Sequence, residues 1–514
     1  MSKLFSPALI LSVGTLLSYI LGIVRDIFFA RYYGASAVTD TYFSAFLISD
    51  IIMVIFISSA LLGLVTPLFL QEREKNTKSG YTLFGVFFAS LLSIFTLISI
   101  IGIIFTPEIL SFFFSAQFAK ESELFTNLSR LFFLTNFLFA ISNFIGSFLM
   151  AHKHFLSTAL SPLVYNIGIL AGIIFFADDY GIYAAAYGAV VGSVGYLLVR
   201  LWEYFSQISI DQRFYPSFNW KSPQLKELGS SMGFRWLTVG TLQITLISIQ
   251  NFSQSFENQD GLYSLFSYAR NLESAPVMIF GFAIATSSFQ VLSLLFAEKK
   301  KEEMSQTFFV ALYKILFWTI PMAVGIYFIG SMFLSLVYDI NTVSNTYITL
   351  HSVLSIIAIA IPFESVLSLF VRTFNATGDT KTPMIITFAQ IGTLIFTMLS
   401  FRYIFSNISE NFSFFSPATQ IGISYVFSFF VSIFVGYYLL YSRKIIRYSG
   451  CYLLQKTGLF LSIIGSCIMG IFFLFADISG LIVSSYFSII SISILGSVLF
   501  FGVLGLFWTG KSYQ

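Results

Sequence analysis

Charge is what this chain has least of. Only 10% of its 514 residues are Asp, Glu, Lys or Arg, where a globular domain carries about 25%, and that shortage excludes a soluble fold. Histidine (three) and cysteine (two) are scarce as well. Cys451 and Cys467 lie in or beside late apolar segments and read as packing residues rather than a disulfide or metal pair. The motifs of catalysis are missing: no GxxxxGK(S/T) phosphate loop, no HExxH, no GxSxG, no carboxylate pair with a supporting His. An enzyme is therefore not expected, nor an ATP-driven pump unless a partner subunit brings the nucleotide domain. Arginines repeating at spacing three, as in a voltage sensor, are absent. So are the short alternating segments of a β-barrel. A net charge of +3 is too small to suggest nucleic acid.

What remains is apolar: 57% hydrophobic residues and a mean hydropathy of +0.85. Apolar runs long enough to cross about 30 Å of hydrocarbon recur along the whole chain. Candidate spans are 8–31, 41–70, 81–105, 131–150, 157–177, 181–205, 229–252, 262–296, 307–335, 346–372, 383–405, 418–441, 456–476 and 480–508, roughly fourteen helices. The first reads as a retained helix rather than a signal peptide, because no small-residue cleavage site follows it. Segment 106–130 is amphipathic and is expected at a membrane interface. The class is an all-α polytopic membrane protein.

Loop charge orients the spans. Lys and Arg collect in alternate loops, among them Arg73, Lys75 and Lys78; Lys153; Arg213, Lys221 and Lys226; Lys299 to Lys301; Arg372 and Lys381; and Arg443, Lys444, Arg447 and Lys456. The intervening loops, such as ADDYG at 177–181 and FENQDG at 256–261, are acidic or neutral. The positive-inside rule then places both termini in the cytoplasm, which agrees with an even number of spans.

A repeat accompanies this order. Residues 41–72 align without gaps on 267–298, and 148–168 resemble 371–392 at nearly the same offset. Six spans separate the copies, so the halves share one orientation: a parallel repeat about an axis along the membrane normal. The expected organisation is an N-lobe over 1–225, a C-lobe over 226–445, each of six helices, and a C-terminal helix pair over 446–514.

Charges inside such spans need a partner or a watery cavity, since each costs about 2.5–3.5 kcal/mol at a helix centre. Arg25 and Asp26, with Asp40 and Asp50 nearby, form the first group. Adjacent residues lie about 100° apart on a helix, so Arg25 and Asp26 are expected to face different neighbours or to flank an unwound turn by Gly22. The group is either an ion pair at a helix end, with Arg25 snorkelling to the interface, or it presents Arg25 as an anion-binding group in a cavity. In the second group Arg270 and Glu273 stand at i,i+3 and can pair, with a kink expected at Pro276. Here too a self-neutralised pair competes with a cavity arginine held by its acid. A guanidinium fork suits diphosphate oxygens.

Other polar positions read more plainly. Arg235 and Lys314 near cytoplasmic helix ends read as snorkelling residues. Asn375 and Asp379 either cap the helix before Pro383 or line an inner mouth or cation site. His152, Lys153 and His154 make poor metal ligands at their spacing and are expected to meet phosphate or headgroups. The 64 phenylalanines carry no site information.

These residues resemble a family. SYILGIVRDIFFARYYGASAVTDTYFSAF (18–46) is similar to the first-helix signature of the bacterial lipid II flippases, the MurJ/MviN family of the MOP exporter superfamily. YARNLESAP (268–276) with GFAIATSSFQVLS (281–293), and VRTFNATGDTKTP (371–383), resemble its eighth-helix and tenth-to-eleventh-helix motifs. The resemblance implies two rocking lobes that alternate access across the bacterial cytoplasmic membrane. It also implies a cationic cavity for a polyprenyl-diphosphate-linked glycan, lipid II, and a groove by the last two helices for the tail. Position by position, Arg25 and Arg270 match the family's cavity arginines, and Asp26, Asp40 and Glu273 its neighbouring acids. Asn375 and Asp379 match part of a cation site in some members, although the acid expected on the seventh helix is not evident. No cofactor is implied beyond Na+ or H+ coupling, and the implied partners are membrane lipids and cell-wall synthases.

The chain also departs from the family pattern. Tyr19 stands where the family has Arg just before Leu-Gly, the Pro-Asn-x-x-Arg-Arg segment reads Ser49 to Val54 with Met53 in an arginine position, and Glu-Gly reads Ser58-Ser59. Losing those charges weakens attraction for a diphosphate. That leaves open a flippase for another polyprenyl-linked polysaccharide unit, a cation-coupled multidrug exporter, or a non-transporting scaffold.

Overall fold

In the computed structural model, residues 7–58, 65–219, 222–223, 225, 240, 243–256, 259–342, 344–379, 381–405, 416–446, 453–478 and 491–500 are described, and among them there is no strand. Ten of the described helices are long and apolar enough to cross a bilayer, or eleven when Asn345–Ala358 and Ala360–Ala376, bent by 41°, count as one broken span. Each lies on an expected span. The other three expected spans, 41–70, 229–252 and 480–508, include residues outside those described, as do Arg235 and Cys451. The chain is a multi-pass α-helical membrane protein.

It divides into two compact units, Met1–Gly261 and Leu262–Gln514. The division falls one helix later than the 225/226 boundary read from the repeat, and 446–514 joins the second unit rather than standing apart.

The first unit begins with α1 (Pro7–Tyr33) and α2 (Ala37–Met53), the latter running into a π-helical turn at Val54–Ser58. Ser36 starts α2: its hydroxyl accepts from the Thr39 N–H while the Thr39 hydroxyl accepts from the Ser36 N–H, a reciprocal cap. There follow α3 (Thr66–Lys75), α4 (Thr77–Ile104), α5 (Thr106–Phe113), α6 (Ser115–Ala151), α7 (Leu156–Tyr180), α8 (Tyr183–Gln207) and a helical stretch at 243–254, here α9. The interfacial segment expected at 106–130 is in fact divided. Only α5 is a short separate helix. The rest is the first part of α6, which breaks helical geometry at Glu121 and buries Phe125, Leu128 and Ser129.

Two four-residue glycine steps draw α7 and α8 together. A Cβ on Gly168 would stand 2.5 Å from the Gly192 Cα, and one on Gly172 would stand 2.4 Å from the Ala184 carbonyl oxygen. Only glycine allows that approach, and close backbone packing replaces the hydrophobic drive that lipid cannot supply.

The second unit contains α10 (Leu262–Pro276), a π-helical turn at Val277–Phe282, α11 (Ala283–Ala297), α12 (Lys301–Gly325), a further π-turn at Ile326–Gly330, α13 (Ser331–Val337), α14 (Asn345–Ala358), α15 (Ala360–Ala376), α16 (Lys381–Phe405), α17 (Pro417–Ser442), α18 (Leu453–Ile478) and α19 (Ser491–Phe500). Pro276 does not simply kink its span; the helix widens into the π-turn directly after it. Pro362 lacks the N–H that would bond the Ala358 carbonyl, which places the bend between α14 and α15. On α18 the buried stripe runs through Ser462, Ser466, Met469 and Phe473. Cys467 falls off that stripe and is an exposed free thiol, not the packing residue expected.

The turns at the two matched positions of the repeat take one form, which also ends α11 and α17. After α6, Lys153 takes φ +64°, its N–H bonds the Met150 carbonyl and the His154 N–H bonds the Leu149 carbonyl. After α15, Gly378 takes φ +75°, its N–H bonds the Asn375 carbonyl and the Asp379 N–H bonds the Phe374 carbonyl. Both are the same two-bond helix ending with a left-handed residue.

Candidate functional site

In the first unit, Arg25 on α1 and Asp26 pair with each other. Arg25 Nε and Nη2 donate to Asp26 Oδ1 at 2.9 and 2.6 Å. The helix runs through both residues without an unwound turn. The ion pair of the plainer reading is present, since the long arginine side chain bridges the angular offset, and Arg25 also faces a different helix, as expected. Arg25 Nη1 donates to Asn166 Oδ1 on α7 at 2.9 Å, and Asn166 Nδ2 returns to the Ser18 carbonyl at 3.2 Å. The Arg25 side chain is 27% exposed, so its charge is half-shielded and reachable.

The other two acids of this unit stand elsewhere in the network. Asp40 is fully buried, and its Oδ2 accepts from Gln254 Nε2 at 2.8 Å and from the Gly261 N–H at 2.9 Å. Asp50 Oδ2 accepts from Gln243 Nε2 at 2.9 Å. Both carboxylates thus tie α2 to α9 and to the end of the unit, which explains why 243–261 belongs to it.

In the second unit, Arg270 on α10 pairs with Glu273, as expected from their spacing, and also with Glu364 on α15, where Nη2 reaches Oε1 at 2.9 Å. Tyr425 on α17 donates its hydroxyl to Glu364 Oε2 at 3.1 Å, and the Arg270 guanidinium lies 5.6 Å from the centre of the Tyr425 ring. Glu273 is fully buried, while Arg270 is 27% exposed. Close approach at Gly281, where a Cβ would stand 2.6 Å from the Ser365 side chain, lets the π-turn sit against α15 beside Glu364.

Sequence reasoning missed Asn166, Glu364 and Tyr425. Glu364 carried a signal, a lone acid inside an apolar span two residues after Pro362. Asn166 and Tyr425 carried only their polarity.

The remaining candidates resolve separately. Asp379 Oδ1 accepts from the Lys381 and Thr382 N–H groups, both at 3.1 Å, and Oδ2 accepts from Thr382 Oγ1 and Arg443. It is the helix cap of the plainer reading, and Asn375 is exposed beside it. Burial pushes the Asp379 carboxyl up, but the Thr382 hydroxyl and N–H, the Arg443 guanidinium and the Lys381 N–H together hold it below its ordinary range. His152 does not reach out to phosphate. Its Nδ1 meets the Phe148 carbonyl at 2.9 Å, its Nε2 lies 3.3 Å from the Tyr81 hydroxyl, and its ring stacks on Tyr81. Burial pushes the imidazole down. Lys314 is exposed on α12, and so is Tyr19 on α1.

An apolar groove of about 250 Å³ opens in the second unit, lined by Leu272, Trp318, Phe333, Met469, Phe473 and Phe500 among others. Leu272 sits on the same helix as Arg270, so apolar groove and charged cluster share α10.

Comparison with known proteins follows this geometry. A family model described as lipid II flippase MurJ matches residues 29–496. A probable lipid II flippase MurJ of Thermotoga maritima is 26% identical over 388 residues, covering 73% of this chain and 75% of that protein. The lipid II flippase MurJ of Thermosipho africanus is 27% identical over 75% of this chain and 77% of its own length. Among solved structures, a lipid II flippase MurJ in an inward closed conformation is similar with a TM-score of 0.78 and 21% identity, over 97% of this chain and 98% of that one. An inward-facing multidrug resistance MATE transporter of the MOP superfamily gives a TM-score of 0.65 at 15% identity, over 86% of this chain and 98% of that one. At such identities the structural likeness establishes the fold.

Proposed function

The chain belongs to the lipid II flippase MurJ family, and we propose that it carries lipid II, a polyprenyl-diphosphate-linked peptidoglycan precursor, across the bacterial cytoplasmic membrane by alternating access. The family match over residues 29–496 carries this reading. The side chains support it: Arg25 and Arg270 each keep N–H donors beyond those used in their ion pairs and remain partly exposed. They pair with the diphosphate, while Asp26 and Glu273 hold them in position. Asp40, buried and bonded to backbone and amide, is a structural support of that arrangement rather than a ligand group. The apolar groove beside α10 takes the first isoprene units of the tail, which costs less than exposing them to water. Both termini lie in the cytoplasm, and an ion gradient or the membrane potential drives the cycle. No chemical step is required of the chain, and cell-wall synthases consume what it delivers.

Depletion of a host's own lipid II flippase tests this. The wild-type chain rescues growth, and Arg270→Ala does not, although it reaches the membrane in comparable amount. Equal rescue by both would remove Arg270 from the mechanism, and no rescue by wild type would remove lipid II as the substrate.

A further inference from the structure

The Arg270 cluster does not balance. One guanidinium meets two acids, so with both ionised the group holds one excess negative charge in an apolar core. The hydrogen bonds show the same deficit. Glu364 fills both of its oxygens, Oε1 with Arg270 and Oε2 with Tyr425. Glu273 gives Oε2 to Arg270, while its Oε1 is buried and has no hydrogen-bond partner. The two carboxyl groups flank one guanidinium, and when both are ionised neither brings a donor to the unpartnered Oε1.

We propose that Glu273 and Glu364 form a proton-binding site, sharing one proton taken from water, and that this proton couples to anion binding at Arg270. The coupling half of this inference rests on the proposed function; the proton site does not. With the proton in place the cluster is neutral, and the spare N–H groups of Arg270 face an incoming diphosphate without net repulsion. Without it, one negative charge opposes the anion. Proton and diphosphate therefore promote each other's binding, and by linkage the effect is reciprocal.

The neighbouring elements leave this pair as the site of the exchange. Arg270, Glu364 and Glu273 act on one another and on Tyr425. His351 on α14 meets Ser331 Oγ at 2.8 Å, Lys314 on α12 is exposed, Arg372 on α15 lies 4.2 Å from the Phe282 ring centre, and Arg443 after α17 pairs with Asp379. The π-turn at Val277–Phe282 and α11 contain no ionisable side chain.

Two readouts on purified protein in lipid nanodiscs test the proposal, with thermal unfolding as a check that Glu364→Gln folds. Infrared difference spectra should show a carboxylic-acid C=O band that bleaches as pH rises in wild type and is absent in Glu364→Gln, where Arg270 matches the one remaining acid. A band unchanged by Glu364→Gln, or absent from wild type, overturns the proton site. Calorimetric binding of farnesyl diphosphate should tighten as pH falls by up to about tenfold per pH unit more in wild type than in Glu364→Gln, the slope of one linked proton. The probe's own titration is common to both proteins and cancels in that difference. Equal slopes overturn the coupling. If the band behaves as expected but farnesyl diphosphate binds neither protein, the proton site stands and the assignment of Arg270 as the diphosphate contact falls.

Discussion

Arg25 in the first unit and Arg270 in the second both sit inside apolar helices, and the two are provided for differently. Arg25 is matched by one acid, its own neighbour Asp26, and steadied by the neutral amide of Asn166. Arg270 is matched by two acids from two helices, one of them fully buried. A one-to-one pair is neutral by itself and has nothing to exchange. A one-to-two cluster is out of balance by one charge and must take up a cation, bind a proton or pay in stability. The same residue type thus anchors in one unit and responds in the other.

Several substitutions probe that contrast, the largest effect first. Arg270→Met leaves Glu273 and Glu364 unmatched and is expected to cost about 3–5 kcal/mol, the range for breaking a buried pair. Arg25→Met leaves only the partly exposed Asp26 and should cost clearly less. Thermal unfolding in detergent compares them, and equal losses would erase the distinction between the clusters. The matching turns give a smaller contrast. Gly378→Ala forces a Cβ into the left-handed region and should lose about 1–2 kcal/mol. Lys153→Gly relieves the same strain and should gain a comparable or smaller amount. If both changes destabilise, the turns are not equivalent.

Acid should separate the turns further. His152 is held below its ordinary value of 6.5 by burial, so the unfolded chain takes up a proton before the folded one does. Its contribution is full above that value and is lost as pH falls through it toward the folded value. Asp379 is also depressed, from an ordinary 3.8. Its contribution persists until pH falls below that value and is lost on passing the folded one. Hydrogen exchange along a falling pH series should therefore show the 152–154 turn loosening before the 377–382 turn. The reverse order would place other groups in control.

Much of the fold was legible because hydrocarbon imposes length and composition on every span, and the eleven described spans lie where the apolar runs predict them. The pairing of Arg270 with Glu273 was legible because i,i+3 is a local rule. Glu364 was not, since its contact with Arg270 joins residues 94 apart in sequence. The Arg25–Asp26 pair was legible as the plainer reading of adjacent opposite charges, but Asn166, 141 residues away from Arg25, was not. Asp40 and Asp50 were read as charges in need of partners, Asp40 also as a site acid through the family resemblance. Their amide partners Gln254 and Gln243 leave no mark in a hydropathy profile. The glycine steps of α7 and α8 were visible in the sequence but have meaning only once the two helices cross.

The π-turns carry a last consequence. Val54–Ser58 and Val277–Phe282 fall at overlapping positions of the two aligned repeats. A π-turn is one additional residue absorbed by a helix, and one residue is worth about 100° of rotation. An insertion in a single copy would set the two halves out of phase from that point onward. Carried by both, it keeps these two aligned segments in step. A one-residue deletion confined to either turn would turn every side chain beyond it in that helix to a new bearing while leaving the composition of the span almost untouched.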